Sequence, residues 1–152
     1  MSSIKSNERE LSGKVAQWFN EQISRGNFPF KSATNEPGIK VDDRTYFGDI
    51  VLWESDEARL AYALLELKPP HGAAENLERF RKKALELNVK IAFTWNFQQL
   101  NAYKLEDNHL VLLDSESYPV LNKVDDWRRG DIQAQIKTYV RLICEEVLNI
   151  NK

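Results

Sequence analysis

The chain has 152 residues, of which 42% are hydrophobic and 29% charged, which is enough apolar content for one core of ordinary domain size. Its formal net charge of −2 argues against a protein that coats nucleic acid through basic patches, but not against an enzyme that acts on it. One cysteine excludes a disulfide framework, and Cys144 lies in an apolar helical pattern typical of a buried thiol. No apolar run reaches the length of a bilayer and no signal-peptide pattern is present. We therefore expect a single cytoplasmic domain over residues 1–152 that does not associate with membranes.

Helical periodicity predicts a first helix from about Glu8 to Arg25, capped by Ser6 or Asn7, with an apolar stripe along one face. Glu8 falls near the middle of that stripe, so it is the acidic residue placed to face inward. An equally good interpretation of Glu8 is a solvated first-turn acid favoured by the helix dipole. Glu10 fits a capping box with Asn7.

Phe28 and Phe30 alternate in a way that predicts a short strand, and the polar segment Ser32–Asp43 predicts a loop. Loops beside a rigid sheet often carry binding residues. This segment, however, contains no residue-level signal for DNA contact.

Two apolar segments, Phe47–Trp53 and Ala61–Lys68, each indicate a buried strand interrupted by charge. If a hairpin closes between Ser55 and Leu60, the two strands are antiparallel and Asp49 lies opposite Glu66. Because strand side chains alternate between faces, residue 68 shares a face with residue 66. Burying an unpaired charge is costly, so these charged residues are candidates for a chemical site.

The downstream pattern predicts one crossover helix, three strands and a long closing helix. Their expected bounds are Ala73–Asn88, Lys90–Trp95, Leu100–Leu105, His109–Leu113 after a turn at Asp107-Asn108, and Asp125–Leu148. Hairpins pair antiparallel and the crossover returns a strand parallel, so the sheet is expected to be mixed. The basic residues Arg79, Arg81, Lys82, Lys83, Arg128 and Arg129 are interpreted as solvated helix faces.

The chemistry of Asp49, Glu66 and Lys68 indicates a metal site. Facing carboxylates, with Cβ atoms about 5 Å apart, repel each other unless a cation lies between them. Carboxylate oxygens suit Mg²⁺, with Mn²⁺ as a substitute, whereas zinc favours a Cys/His cluster that one cysteine and two histidines cannot supply. Lys68 can hold or deprotonate a water molecule beside the metal. The alternative is a buried salt bridge between Lys68 and one of the acids.

Gly48-Asp49-Ile50-Val51, followed after a hairpin by Glu66-Leu67-Lys68, resembles the PD-(D/E)xK nucleases, whose fold is called restriction-endonuclease-like. The resemblance covers about residues 7–105. Within this range the order of elements is similar to that of the N-terminal nuclease domain of type I restriction-enzyme motor subunits and related single-chain restriction-modification enzymes. It implies an α/β fold with a mixed sheet, an αβββαβ core and an added C-terminal helix.

The resemblance also implies a function, a Mg²⁺-dependent endonuclease that cleaves DNA as the nuclease module of a restriction-modification system. Asp49, Glu66 and the main-chain carbonyl of Leu67 would bind the metal, Lys68 would activate water, and Glu8 would assist through the metal's hydration shell. The implied partners are double-stranded DNA and motor, methyltransferase or specificity domains elsewhere in a larger protein or complex. The chain itself has no phosphate-binding loop of an ATP-driven motor.

The chain departs from the family pattern at three places. Phe47 stands where the proline of the family name is expected, Thr94-Trp95-Asn96-Phe97 replaces a Thr-Asn-Gly strand end, and Asn76 and Phe80 occupy the usual Gln-x-x-x-Tyr spacing. Gln135 and Tyr139 have that spacing near the C-terminus, where we assign them to helix surface or core edge. Two alternative functions remain, a catalytically silent DNA-docking or interaction domain and a nuclease acting on RNA or special DNA structures.

Overall fold

The computed structural model describes residues 3–36, 49–55, 60–70 and 77–150, with side chains from residue 8 onward. The elements are α1 (Ser3–Arg25), β1 (Ser32–Glu36), β2 (Asp49–Ser55), β3 (Leu60–Leu67), α2 (Leu77–Leu87), β4 (Ile91–Trp95), β5 (Gln99–Glu106), β6 (His109–Ser117), a 3₁₀ helix (Val124–Arg128) and α3 (Gly130–Ile150). Several predicted features lie outside the described residues: the loop beyond residue 36, residues 47–48, the hairpin turn at 56–59, and the start of the crossover helix with Asn76. The described elements follow the predicted order, with α3 as the added C-terminal helix.

The six strands form one sheet in the order β1-β2-β3-β4-β5-β6. Every neighbouring pair is antiparallel except β3 and β4, which are parallel and are connected through α2. The predicted mixed sheet is therefore confirmed, and its single parallel step coincides with its one helical crossover.

Two apolar clusters lie on opposite faces of this sheet. The larger cluster joins the sheet to α1 and α3 and contains the fully buried Trp95 and, as predicted, the buried Cys144. The smaller cluster joins Phe80 and Ala84 of α2 to Val51 and Leu64 of the central strands. The helices therefore cover different faces, with α1 and α3 on one side and α2 on the other.

The predicted strand at Phe28 and Phe30 is wrong, because β1 begins two residues later and occupies the first part of the predicted loop. Phe30 is fully buried in the larger cluster and Phe28 stacks on it at 5.1 Å. In β1 only Ala33 is buried, and the Asn20 side chain bonds both its main-chain N–H and its carbonyl at 2.8 Å. An edge strand stabilised in this way needs no alternating apolar pattern, so the sequence carried little signal for it.

Both terminal helices differ from their predicted bounds. The helix α1 begins at Ser3, so Asn7 lies within it and the predicted capping box with Glu10 is wrong. The Glu10 carboxylate instead accepts a 2.5 Å bond from Arg128. The predicted closing helix is interrupted at Arg129, whose extended backbone (φ −70°, ψ 136°) separates the 3₁₀ helix from α3. Among the described helices, none is both long enough and apolar enough to cross a membrane.

Candidate functional site

The pairing of β2 with β3 brings two buried acids together. Asp49 faces Glu66 in the predicted register, and the residues are only 6% and 4% exposed. Each acid lies two residues from a member of the smaller cluster, Asp49 from Val51 and Glu66 from Leu64, so both carboxylates lie on the face that α2 covers. A residue position that would ordinarily be apolar is therefore charged on each of two adjacent strands.

Lys68 lies on the same face, directly beyond the end of β3. Its main-chain N–H donates to the Trp95 carbonyl at 2.9 Å, which continues the pairing of β3 with β4 past Leu67. Its ammonium Nζ is 3.4 Å from Glu66 Oε1, and the side chain is 20% exposed to solvent. Lys68 thus contacts a buried acid and is also partly exposed to solvent. It shares a face with Glu66, as the alternation of strand side chains predicted.

A second lysine, which the sequence interpretation assigned to a solvated face, enters the site from α2. Lys83 Nζ is 2.7 Å from Asp49 Oδ2 and 3.5 Å from Glu66 Oε1, so one ammonium contacts both carboxylates. One turn earlier on the helix, Arg79 Nη2 is 4.0 Å from Glu66 Oε1. The sequence spacing could have indicated that this pair faces inward. Arg79 and Lys83 are four residues apart and directly precede Phe80 and Ala84, the buried residues of α2.

The remaining basic residues of α2 behave as the sequence interpretation expected. Arg81 forms a 2.6 Å ion pair with Glu78 on the helix surface, and Lys82 is exposed. The basic run therefore divides between an inward pair and an outward pair. Lys82 provides a natural control for Lys83.

Burial raises the pKa of Asp49 above its ordinary value, and the neighbouring Glu66 carboxylate raises it further. The charge and hydrogen bond of Lys83, and more weakly the charge of Lys68, lower that pKa and only partly offset the burial. The carboxylate is thus removed from water and placed beside a second acid, which is an environment that favours any nearby cation.

The polar positions continue across the whole sheet at the level of Asp49. The register gives one polar side chain on each strand, in the order Glu36, Asp49, Glu66, Thr94, Asn101 and Ser115. Asn101 Nδ2 donates to Thr94 Oγ1 at 3.4 Å, and Ser115 Oγ donates to Asn101 Oδ1 at 2.6 Å. The acids therefore belong to a row whose other half is joined by neutral hydrogen bonds.

A groove of about 480 Å³ opens beside Asp49, between the sheet and α2. Its polar lining consists of Glu36, Asp49, Lys83 and Glu86. Solvent species can therefore reach the carboxylate of Asp49 and the ammonium of Lys83 without passing through the apolar core.

The other predicted site residues lie elsewhere. The Leu67 side chain is buried in the larger cluster, on the face of the sheet opposite the acids. Glu8 is 9% exposed on α1, the helix that packs against the other face of the sheet, and burial raises its pKa. Within the described ranges, no three acidic, histidine or cysteine side chains form a group suited to a metal. The structure thus brings Asp49, Glu66 and Lys68 together and does not add Glu8 as a third acid.

Tyr139 lies at the edge of the larger core, as predicted. Its hydroxyl donates to the Pro119 carbonyl at 3.2 Å and its ring stacks on Tyr118 at 4.8 Å, while Gln135 is exposed. The two residues lie on α3, which does not share a face with the acids.

No protein-family model matches this chain, and comparisons with curated proteins and with solved structures find no match either.

Proposed function

We propose that this chain is a Mg²⁺-dependent endonuclease domain that cleaves DNA phosphodiester bonds, as the nuclease module of a restriction-modification system. The observation that carries the proposal is the position of Asp49 opposite Glu66, with the Lys68 ammonium 3.4 Å from the Glu66 carboxylate. An acid on one strand, and an acid and a lysine two residues apart on the next, form the pattern by which the sequence resembles PD-(D/E)xK nucleases.

The donors at this site fit a hard divalent cation. Asp49 and Glu66 present carboxylate oxygens on the same face of adjacent strands, and the main-chain carbonyl of Leu67 would be the further ligand that the resemblance implies. Asp49 is 6% exposed, so its charge is poorly solvated and its pKa is raised by burial, and a divalent cation would stabilise the ionised carboxylate. When bound, Mg²⁺ would polarise the phosphate and make a water molecule more acidic.

The chain's own residues supply the remaining chemistry. The Lys68 ammonium would orient the attacking water, or its neutral amine form would accept a proton from that water, while the contact with Glu66 holds the side chain in place. The groove beside Asp49 would admit a phosphate group.

The test is nicking of supercoiled plasmid DNA in Mg²⁺ by the wild-type chain and by Asp49→Ala and Lys68→Ala, purified in the same way. Each variant should lose at least about a hundredfold in rate, in the range typical for the loss of a general base or a charge-stabilising group. Lys82→Ala, which changes an exposed lysine on α2, should cleave at the wild-type rate. A Lys68→Ala variant with wild-type activity would refute the assignment of Lys68 to catalysis. An Asp49→Ala preparation with wild-type activity would show that the cleavage comes from a contaminating nuclease.

The substrate class is tested with the same preparations. Duplex DNA should be cut in preference to single-stranded DNA, RNA, flaps and junctions of the same length. Preference for any of the latter would favour the alternative of a nuclease that acts on RNA or on special DNA structures.

A second candidate function, a catalytically silent interaction domain on the same scaffold, is favoured by one observation. Lys83 already gives both acids a cationic partner, with Nζ within 3.5 Å of each carboxylate. Such a domain predicts no metal binding at the acids. Calorimetry with Mn²⁺ distinguishes the two, because the nuclease requires a binding heat that Asp49→Ala abolishes.

A further inference from the structure

The position of Lys83 has a consequence for any cation that enters the site. Its Nζ contacts Asp49 at 2.7 Å and Glu66 at 3.5 Å, so it occupies the space between the two facing carboxylates. A divalent cation held by the same two carboxylates would need that space. An ammonium and a metal ion that bridge the acids through Asp49 Oδ2 and Glu66 Oε1 would compete for this space.

The charges around the acids lead to the same conclusion. The two carboxylates already have three cationic groups within 4.0 Å, from Lys68, Arg79 and Lys83. If a divalent ion were added to the two carboxylates and three cationic side chains, the group would have a net charge of at least +3 in a mostly buried space. Binding is therefore opposed unless one of the cationic side chains withdraws.

Lys83 is the side chain best placed to withdraw. It lies on the helix and not on the paired strands, and it lines the groove that opens beside Asp49. Its flexible four-carbon stem can carry the ammonium into that groove without moving the backbone. Lys68 and Arg79, in contrast, form their ion pairs with Glu66, at 3.4 Å and 4.0 Å, whereas Lys83 contacts both acids.

We infer that Lys83 is a resident counter-ion of the site, which competes with a divalent cation for Asp49 and Glu66 and must leave them before the metal binds. This inference rests on the proposed metal site and adds to it a residue of α2. Lys83 stabilises the metal-free state, sets the metal affinity, and exposes its ammonium in the groove once the metal has displaced it.

The test measures Mn²⁺ binding by titration calorimetry in the absence of DNA, so that it does not depend on cleavage. We compare the wild-type chain with Lys83→Met, which keeps the length of the stem and removes the charge, with Lys83→Arg, which keeps the charge, and with the control Lys82→Met. Lys83→Met should bind Mn²⁺ at least tenfold more tightly than the wild type. Lys83→Arg and Lys82→Met should stay within about threefold of it, and circular dichroism confirms that each variant is folded. If Lys83→Met does not fold, Lys83→Gln replaces it with the same expectation.

The outcomes separate this inference from the proposed function. Equal or weaker Mn²⁺ binding by Lys83→Met, with measurable binding by the wild type, overturns the role of Lys83 and leaves the metal site intact. Binding by Lys83→Met alone supports the inference in its strongest form. Absence of binding in both proteins overturns the inference and the metal site together.

Discussion

The ion pair between Asp49 and Lys83 can be measured directly by a double-mutant cycle in the absence of metal. The perturbations are Asp49→Asn, Lys83→Met and the two combined, in a buffer with EDTA. Each single variant removes one charge and nearly preserves side-chain volume. The cycle therefore reports the coupling between the two charges more than a change in packing.

The expected magnitude follows from the geometry. At the 2.7 Å separation of Lys83 Nζ and Asp49 Oδ2, the gross Coulomb attraction at an effective dielectric constant of 20 is roughly 6 kcal/mol, most of which is offset by desolvation. Removing one partner of a fully buried pair costs about 3–5 kcal/mol. Here Glu66 remains a second partner at 3.5 Å and Lys83 is 14% exposed, so Lys83→Met, which leaves the buried Asp49 charge without its nearest cation, should lose about 2 kcal/mol. Asp49→Asn should change stability much less, because burial already makes the ionised carboxylate unfavourable, as its raised pKa indicates. In the Asp49→Asn background Lys83→Met should also cost little, which gives a coupling energy near 2 kcal/mol.

The pH dependence gives an independent check on the same pair. A carboxyl group whose pKa is higher in the folded than in the unfolded state takes up protons on folding, so stability falls as pH rises between those two values. Without Lys83, which lowers the pKa of Asp49, that pKa should rise further above its ordinary value of 3.8. The loss in Lys83→Met should therefore be larger at pH 7.5 than at pH 4.

Urea denaturation followed by far-UV circular dichroism measures these free energies of unfolding. Lys82→Met, on the exposed side of the same helix, should change stability by less than about 0.5 kcal/mol. Additive single losses, with a coupling energy below about 0.3 kcal/mol, would show that Lys83 does not hold Asp49 in solution.

Three further predictions concern other parts of the molecule. Because burial raises the pKa of Glu8, its ionised form opposes folding, and Glu8→Gln should raise the melting temperature by roughly 1–3 °C at pH 7.5 but not at pH 4; an unchanged or lower value at pH 7.5 would contradict the buried position. Burial raises the pKa of the Cys144 thiol to about 12, so a disulfide reagent at pH 8 should label it only after urea unfolding, and rapid labelling of the native protein would disprove its burial. Phe80→Ala, at a residue 1% exposed, should lose about 3–5 kcal/mol of stability, while Leu77→Ala, 46% exposed on the same helix, should lose less than about 1 kcal/mol; equal urea midpoints would refute the packing of α2.

The part of the site carried by the strands was predictable from the sequence for a simple geometric reason. A regular hairpin keeps the sum of facing residue numbers constant, so a turn between Ser55 and Leu60 predicts that Asp49 faces Glu66. The register is irregular at Trp53, which faces Ala61, but the predicted pairing holds on both sides of this irregularity. The alternation of strand side chains placed Lys68 beside Glu66. No knowledge of distant contacts was required, because the three residues belong to one local unit.

The contribution of α2 was not predictable in this way. Arg79 and Lys83 point inward because Phe80 and Ala84 pack on the sheet. The rotation of a helix about its own axis, however, depends on long-range packing against the sheet, which a local sequence pattern predicts only coarsely. A turn of about 100° per residue also makes a lysine beside a buried position ambiguous between an inward and an outward direction. The start of α1 was missed because Ser6 and Asn7 are residue types that favour a helix N-cap, whereas the helix continues through them from Ser3.

The arrangement of charges is more elaborate than stability alone requires. A buried ion pair is often no more stabilising than apolar residues of similar volume, so burial by itself gives little reason to keep charges between α2 and the sheet. Lys83 already contacts both Asp49 and Glu66, yet Lys68 also lies 3.4 Å from Glu66 and retains access to solvent. With Arg79 4.0 Å from Glu66, the site has three cations for two carboxylates, and the side chains of Lys68 and Arg79 are 20% and 31% exposed. One cation more than the two acids require, at the solvent side of the site, is suited to an anionic species arriving from outside. This excess supports the proposal of a site that acts on a negatively charged substrate.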